Sequence, residues 1–400
     1  MSTVLSSKRE WAVLLTLAGI QFTHILDFMI MMPLGPQLIE AFDIVDAQFG
    51  LLVSAYTFSA GFSGLLASTY IDKFERRKLL LTLYLLFAAA TAACGLAPTY
   101  ETLMSARVAA GLFGGVLTAL VQTIVADLIP YHRRGKAMGV VMTAFSVSSV
   151  MGVPVGLLFA AYSDWHAPFL AIGAVSLLLV VGGLISLPVM VDHLHHPEKT
   201  GARQNLKQVL RDSNHLLGFL FSFSMVFAGF SVIPYITLYM QINAGVAERD
   251  IPLIYLVGGG ATLISAQVIG RLSDRFGKVK TLHVVSVLAM IPIGVLPFTE
   301  FFPFWLILVC STAFFIFVSG RMIPGMALLT SASNPRLRGT FMTLNSSMQS
   351  AGMGLAAFVG GLIISRGPDG HLQYYWICSL VALASNAVAM WVATRLQIRQ

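Results

Sequence analysis

The sequence predicts an all-α membrane protein, with twelve transmembrane helices in two six-helix bundles related by a parallel repeat. Three observations lead there. Of the 400 residues, 56% are hydrophobic and only 11% are charged, with a mean hydropathy of +0.80. Soluble domains carry about 25% charged residues, and a water-soluble chain of this length has no interior large enough for so much apolar side chain. Apolar segments of membrane-crossing length recur along the chain. A charged turn recurs as well, its aspartates Asp72 and Asp274 standing 202 positions apart.

A bilayer core of ~30 Å takes roughly 20 apolar residues of helix, and the segments follow one another on that scale. The first, 11–38, comes after the basic start MSTVLSSKREW. It is too long for the apolar core of a cleavable signal and is expected to be retained. The second, 47–71, runs into the charged stretch Ser68–Lys78, STYIDKFERRK. The third and fourth, 78–97 and 101–127, flank a short link at Pro98–Tyr100. The fifth, 136–162, follows the basic Tyr131–Gly135, YHRRG, and the sixth is 168–190. Gly and Pro inside these runs are no obstacle, being commoner in membrane helices than in soluble ones. The longest polar stretch, 191–214, then divides the chain. The seventh segment is 215–242, and the eighth, 251–272, runs into the second charged turn, Gly270–Lys280, GRLSDRFGKVK. The ninth and tenth are 280–298 and 303–330; the eleventh, 338–365, follows Pro335–Gly339, PRLRG, and the twelfth is 372–395. The expected organisation is an N-terminal bundle at 1–190, a cytoplasmic linker at 191–214 and a C-terminal bundle at 215–400.

The formal charge of +7 is explained by where the charges stand. Removing Arg107, Arg249, Arg321 and Arg366 from the 25 Lys and Arg leaves 21, all at the termini or in loops after even-numbered segments. The opposite loops carry Glu40, Asp43, Asp46, Glu101, Asp164, Glu248, Asp250, Glu300 and Asp369. Cytoplasmic loops collect Lys and Arg, so both termini are expected in the cytoplasm, at an inner membrane. The basic charge is topological, and nucleic-acid binding is not expected. Asp192, His193, His195 and His196 match no metal-ligand spacing and read as linker. Cys94, Cys310 and Cys378 each lie within an apolar run and form neither a disulfide framework nor a metal site. No metal or cofactor is expected.

The repeat extends beyond the two turns. Pro33 aligns with Pro234, and Tyr131–Gly135 aligns with Pro335–Gly339. Similar halves of one orientation are a usual build of secondary transporters, with substrate held between them near the midplane. On these residues the chain resembles the major facilitator superfamily over essentially its whole length. The family's turn, G-x-x-x-D-[RK]-x-G-x-[RK]-[RK], is matched by Gly270, Asp274, Arg275, Gly277, Lys278 and Lys280. The first copy keeps Asp72, Lys73, Arg76, Arg77 and Lys78 but has Ser68 and Glu75 in place of the two glycines. The resemblance implies a cytoplasmic latch, in which an aspartate at a helix end pairs with Arg or Lys or with a neighbouring helix N-terminus. Asp127, at the end of the fourth segment, either joins that latch or is a solvated helix end. Arg107 resembles the family's fourth-span arginine motif. Gly152, Pro154 and Gly156 resemble the fifth-span Gly-Pro motif of its antiporters, with Val153 intervening. Small residues there let the fifth and eighth spans approach closely, as plain packing or as an antiport device. Together these features resemble the twelve-span drug:proton antiporters of the arabinose-efflux-like branch.

Charge within a span is costly and points to function. His24 and Asp27, three apart, share a helix face, and Asp27 aligns with Ala228 rather than with a second acid. Arg107, Gly111, Thr118 and Gln122 fall on one stripe of the fourth segment. An Asp27–Arg107 pair is feasible, as a proton-coupling site with His24 or as a static pair. Arg321 attracts an anionic group, pairs with a carboxylate, or snorkels. Tyr56, Gln122, Ser231, Tyr235, Tyr239, Tyr255, Gln267, Arg321, Asn345 and Gln349 are the candidate lining of a substrate cavity. No G-x-x-x-x-G-K-[ST], H-E-x-x-H or G-x-S-x-G motif is present, so neither ATP hydrolysis nor enzymatic chemistry is expected. The expectation is a monomeric, proton-coupled exporter of a small amphipathic compound, with substrate, protons and lipid bilayer as its partners. The alternative is uptake or exchange of a nutrient, sugar, siderophore or lipid-like metabolite.

Overall fold

A computed structural model describes residues 7–191, 202–334 and 337–399. Asp192, His193, His195 and His196, with the masked part of the linker, lie outside the described residues. Among those described, eleven helices are long and apolar enough to cross a membrane. The eleventh expected segment forms a single helix, Arg338–Ile363, that falls short on apolarity because of its polar run Asn345–Gln349. The chain is an all-α, multi-pass membrane protein.

The helices are α1 Ser7–Ile30, α2 Gly35–Phe42, α3 Asp46–Tyr70, α4 Arg76–Cys94, α5 Tyr100–Leu128, α6 Tyr131–Val147, α7 Val153–Tyr162 and α8 His166–Ser186. They continue with α9 Ala202–Arg211, α10 Ser213–Phe230, α11 Ile236–Ile242, α12 Ile251–Phe276, α13 Lys278–Val295, α14 Phe304–Gly320, α15 Met322–Ala332, α16 Arg338–Ile363 and α17 Tyr375–Ala393. Several expected segments are broken. The first splits into α1 and α2 across a turn holding Pro33, and the seventh into α10 and α11 across a 3₁₀ turn holding Pro234. A proline removes a helical hydrogen bond and clashes with the preceding turn, so both copies of the repeat break at aligned residues. The tenth is divided between α14 and α15 at Arg321. A two-stranded antiparallel hairpin, β1 Ser365–Arg366 and β2 Leu372–Gln373, joins α16 to α17.

Helix starts are capped where the sequence supplies an acceptor. Glu75 accepts from the N–H groups of Arg77 and Lys78, Asp212 from that of Asn214, and Thr99 and Thr102 form a reciprocal box at α5. The two charged turns differ in backbone. Gly277 sits at φ +92°, which a side chain disfavours. Glu75, its counterpart, sits at φ −60°, so the first copy has no need of glycine there. Its carboxylate instead caps α4 and also accepts from the Met190 N–H at 2.9 Å.

Contacts divide the chain into two compact units, residues 1–30 with 58–199 and residues 31–57 with 200–400. In the first, α4 packs on α5 and α8, and α1 on α6 and α8. In the second, α10 packs on α16 and α17, and α12 on α14. Residues 31–57 join the second unit through α2, which packs on α11, and through a tight point where α3 meets α16 and the 3₁₀ turn before α11. A Cβ added at Gly50 would stand 2.3 Å from Tyr235 Oη, 2.8 Å from the Ala357 carbonyl oxygen and 3.3 Å from Gly361 Cα.

Candidate functional site

In the first unit α1 presents Asp27 to Arg107 of α5. Arg107 Nη1 donates to Asp27 Oδ2 at 2.9 Å and lies 3.4 Å from the Asp27 carbonyl oxygen. Both side chains are 0% exposed. Either charge alone in such a place would cost several kcal/mol, on the order of the penalty for a buried ion, and the pair survives because each offsets the other. Neighbouring bonds hold α1 to α5 and to α4: Thr118 Oγ1 donates to Gln21 Oε1 at 3.2 Å, and Thr23 Oγ1 lies 2.7 Å from Tyr84 Oη of α4. His24 turns its ring towards Phe87 of α4, centroids 5.7 Å apart. Thr91 of α4 is fully buried as well. Gln21, Thr23 and Tyr84 were not legible as site residues, since none carries a charge. Gln21 does stand one turn before His24 in an otherwise apolar run, and that was the available signal.

The Gly-Pro motif bears on the same place. Residues Ser148–Gly152 form a π-helical turn between α6 and α7, directly before Pro154. Ser148 Oγ donates to the Phe22 carbonyl oxygen of α1 at 3.0 Å. A Cβ at Gly152 would meet Leu26 at 3.0 Å, and one at Gly156 would meet Ile30 at 2.8 Å. At these two glycines the fifth span approaches the first. Small residues bring α6 and α7 against the turn of α1 that carries Asp27.

In the second unit most of the expected cavity lining is occupied with its own structure. Tyr235 Oη donates to the Ala357 carbonyl oxygen and Tyr239 Oη to that of Pro297, each at 2.5 Å, while Tyr255 Oη lies 2.9 Å from Thr237 Oγ1. Ser231 Oγ donates to its own helix, to Phe227 O at 2.8 Å. The tyrosines, expected on a cavity wall, here clip helix to helix, because a phenol buried among apolar groups must find an acceptor. Tyr56 and Asn345 are buried, and Gln349 Nε2 lies 3.6 Å from Met326 Sδ. Gln122, in the first unit, and Gln267 are exposed. Arg321 is buried and does not snorkel. It donates to the Met225 carbonyl oxygen at 2.9 Å, to that of Val318 at 3.4 Å and to Asn386 Oδ1, and Asn386 Nδ2 in turn donates to Ser286 O at 3.1 Å. This arginine thus ties the α14–α15 junction to α10, α17 and, through Asn386, to α13.

Of the charged turns, the first places Arg76 Nε 2.5 Å from Asp127 Oδ2. Lys73 is exposed, and the Asp72 side chain lies outside the described residues. In the second copy Gly270, Asp274 and Arg275 are on the surface. Arg275 stacks over Phe276, and Lys278 Nζ donates to Ser331 Oγ at 2.5 Å. Asp274, Gly277, Lys278 and Ser331 line an open cleft of about 510 Å³. At the acidic-loop end of the second unit, Arg366 meets Asp46 through two contacts of 3.4 Å, and Gln37 donates to Glu248.

Comparison with known proteins agrees with this architecture. The family model described as Major Facilitator Superfamily matches residues 17–357 and 261–398. Among solved structures, the chain is similar to a bacterial homolog of the human lysosomal transporter Spinster in an inward-facing, unoccupied conformation. The two are 16% identical over 98% of each chain, with a TM-score of 0.75. It is similar to the xylose transporter XylE from E. coli in a partially occluded inward-open conformation, at 16% identity over 96% of this chain and 98% of that one, TM-score 0.74. The nucleoside transporter NupG is 12% identical over 97% and 99%, TM-score 0.78.

Proposed function

This chain belongs to the major facilitator superfamily and is a secondary transporter rather than an enzyme, and we propose that it exports a small amphipathic compound in exchange for protons. The observation that carries the proposal is the buried Asp27–Arg107 pair. The guanidinium in contact offsets the charge of its carboxylate. When alternating access draws Arg107 away, the same dry surroundings favour the neutral carboxyl, and Asp27 takes a proton. His24, one turn earlier on the same face of α1, serves as relay in this scheme. A substrate that competes for the protonated site is then moved against the proton. In this scheme the bundles 1–190 and 215–400 alternate about the linker at 191–214, with both termini in the cytoplasm of an inner-membrane monomer. The Asp72 and Asp274 turns, with Arg76–Asp127, hold one cytoplasmic arrangement.

Abundant Phe and Met, 27 and 18 residues, support an amphipathic substrate of variable shape. A second reading is uptake or exchange of a nutrient, favoured by the fold shared with a xylose and a nucleoside transporter. Transport by the purified protein in proteoliposomes, with a panel of amphipathic compounds, sugars and nucleosides under a pH gradient of either sign, tests both. Efflux of an amphipathic compound driven by an inward proton gradient supports the proposal. Proton-linked uptake of a polar nutrient replaces it with the second reading.

A further inference from the structure

The described part of the linker ends in α9, Ala202–Arg211, and this helix has two unlike edges. One is fixed to the protein. Val209 is fully buried in a cluster with Phe219, Phe221, Met225 and Phe341, and α9 packs on both α10 and α16. The other edge is open. Leu206 and Leu210, four residues apart and so one above the other on the helix surface, are 38% and 49% exposed. Beside them Lys207 and Arg211, again four apart, are also exposed.

The position of α9 says what lies against that edge. Only Asp212 separates it from α10, whose membrane-crossing stretch begins at Ser213. Asp212 is extended, at φ −84° and ψ 112°, so α9 cannot continue the axis of α10 and must turn away at the membrane boundary. Asp212 is held there by Arg399, which donates to both its carboxylate oxygens. The exposed leucines are followed by Leu216 and Leu220, also four apart and also exposed, on the membrane-crossing helix itself. An apolar edge in sequence with a lipid-facing stripe, flanked by two cations, has the chemistry of a helix lying in the plane of a lipid surface. A water-facing helix would have no use for the leucines, and a helix packed wholly on protein would not leave them exposed.

We infer that α9 is an interfacial helix that seats Leu206 and Leu210 among acyl chains and binds anionic lipid headgroups through Lys207 and Arg211. The inference rests on the chain being a membrane protein and is independent of substrate and direction of transport. Because Val209 joins α9 to the inner ends of α10 and α16, headgroup charge acts directly on those helices.

The test uses the full-length protein in vesicles of phosphatidylcholine alone or with phosphatidylglycerol. Nitroxides are placed singly at positions 206, 208 and 210, and their collision rates with oxygen and with a water-soluble nickel chelate are compared. At 206 and 210, in the anionic vesicles, oxygen collisions should dominate, corresponding to immersion of ~5–10 Å. Gln208, exposed on another side, should favour nickel. Omitting phosphatidylglycerol, or substituting Lys207→Gln with Arg211→Gln, should shift 206 and 210 towards nickel. Nickel-dominated collisions at 206 and 210 in anionic vesicles would overturn the inference, as would protection from both reagents, which would mean that protein covers the edge. Immersion that ignores both lipid charge and the double substitution would overturn the headgroup assignment. Each result stands whether or not the transport reading holds, since no substrate enters the measurement.

Discussion

Substituting Gly50→Ala perturbs a tight junction of the second unit. The added Cβ would lie 2.3 Å from Tyr235 Oη and 2.8 Å from the Ala357 carbonyl oxygen, whereas comfortable carbon contacts begin near ~3.5 Å. Tyr235 cannot simply swing aside, because its hydroxyl is bound to that same carbonyl at 2.5 Å. Helices α3 and α16 must therefore separate by about 1 Å, and overpacking of this kind costs ~1–3 kcal/mol. If the junction closes in one transport state and opens in the other, that cost shifts their ratio by roughly 5- to 150-fold. The assay is disulfide formation between Gln37→Cys and Glu248→Cys, whose side chains are hydrogen-bonded in this structure, with Cys94, Cys310 and Cys378 replaced. Gly50→Ala should slow cross-linking markedly. Adding Tyr235→Phe should restore part of it, since the hydroxyl clash goes but the carbonyl at 2.8 Å remains. Unchanged cross-linking and an unchanged melting temperature in Gly50→Ala would refute the steric argument.

Three further outcomes follow from the charges. Cysteines near Asp43, Asp164 and Glu300 should react with an impermeant thiol reagent from outside intact cells, and those near Lys136, Lys207 and Arg336 should not; the reverse pattern would invert the orientation. Burial pushes the Asp212 carboxyl up, but hydrogen bonds from Arg399 and from the Asn214 N–H, with the nearby cations, outweigh it and hold the group below its ordinary value. A carboxyl lowered in the folded state stabilises above its unfolded pKa and loses that effect as pH falls through the folded one. A nitroxide at Ile398 should accordingly stay immobilised at neutral pH and gain mobility only in acid, whereas in Asp212→Asn it should be mobile at both. Asp127→Asn should weaken the contact with Arg76 and slow turnover several-fold without loss of ligand binding; unaltered turnover would leave Arg76 a topological anchor.

Architecture was far more legible in this sequence than was the lining of a site. Segment number and length follow from apolar runs, and Pro33 and Pro234 already mark where two segments break. The break at Arg321 is marked in the sequence by Pro324, which removes the hydrogen bond to the Gly320 carbonyl; what stayed hidden is that the Arg321 side chain bonds within α14 and to α10 and α17. The Asp27–Arg107 contact was foreseeable, since two opposite charges in neighbouring apolar helices have few other ways to be accommodated. Tyr235, Tyr239 and Tyr255 show the limit. Their spacing puts them on helices of the right unit, but only coordinates reveal that their hydroxyls are consumed by Ala357, Pro297 and Thr237. A polar residue in an apolar helix announces that it has a partner, not whether the partner is substrate or protein.

The central claim is that Asp27 carries the coupled proton, and one comparison tests it most directly. With the substrate found in the proteoliposome panel, pH-gradient-driven accumulation and gradient-free substrate exchange are measured for the parent protein and for Asp27→Asn. Asparagine keeps an oxygen for Arg107 but cannot take up the proton, and a retained melting temperature establishes that the fold is intact. The account predicts that gradient-driven accumulation falls to the level of protein-free vesicles while exchange persists. Accumulation that continues at the parent rate in Asp27→Asn would contradict it and would leave Asp27–Arg107 as a pair that only holds α1 to α5.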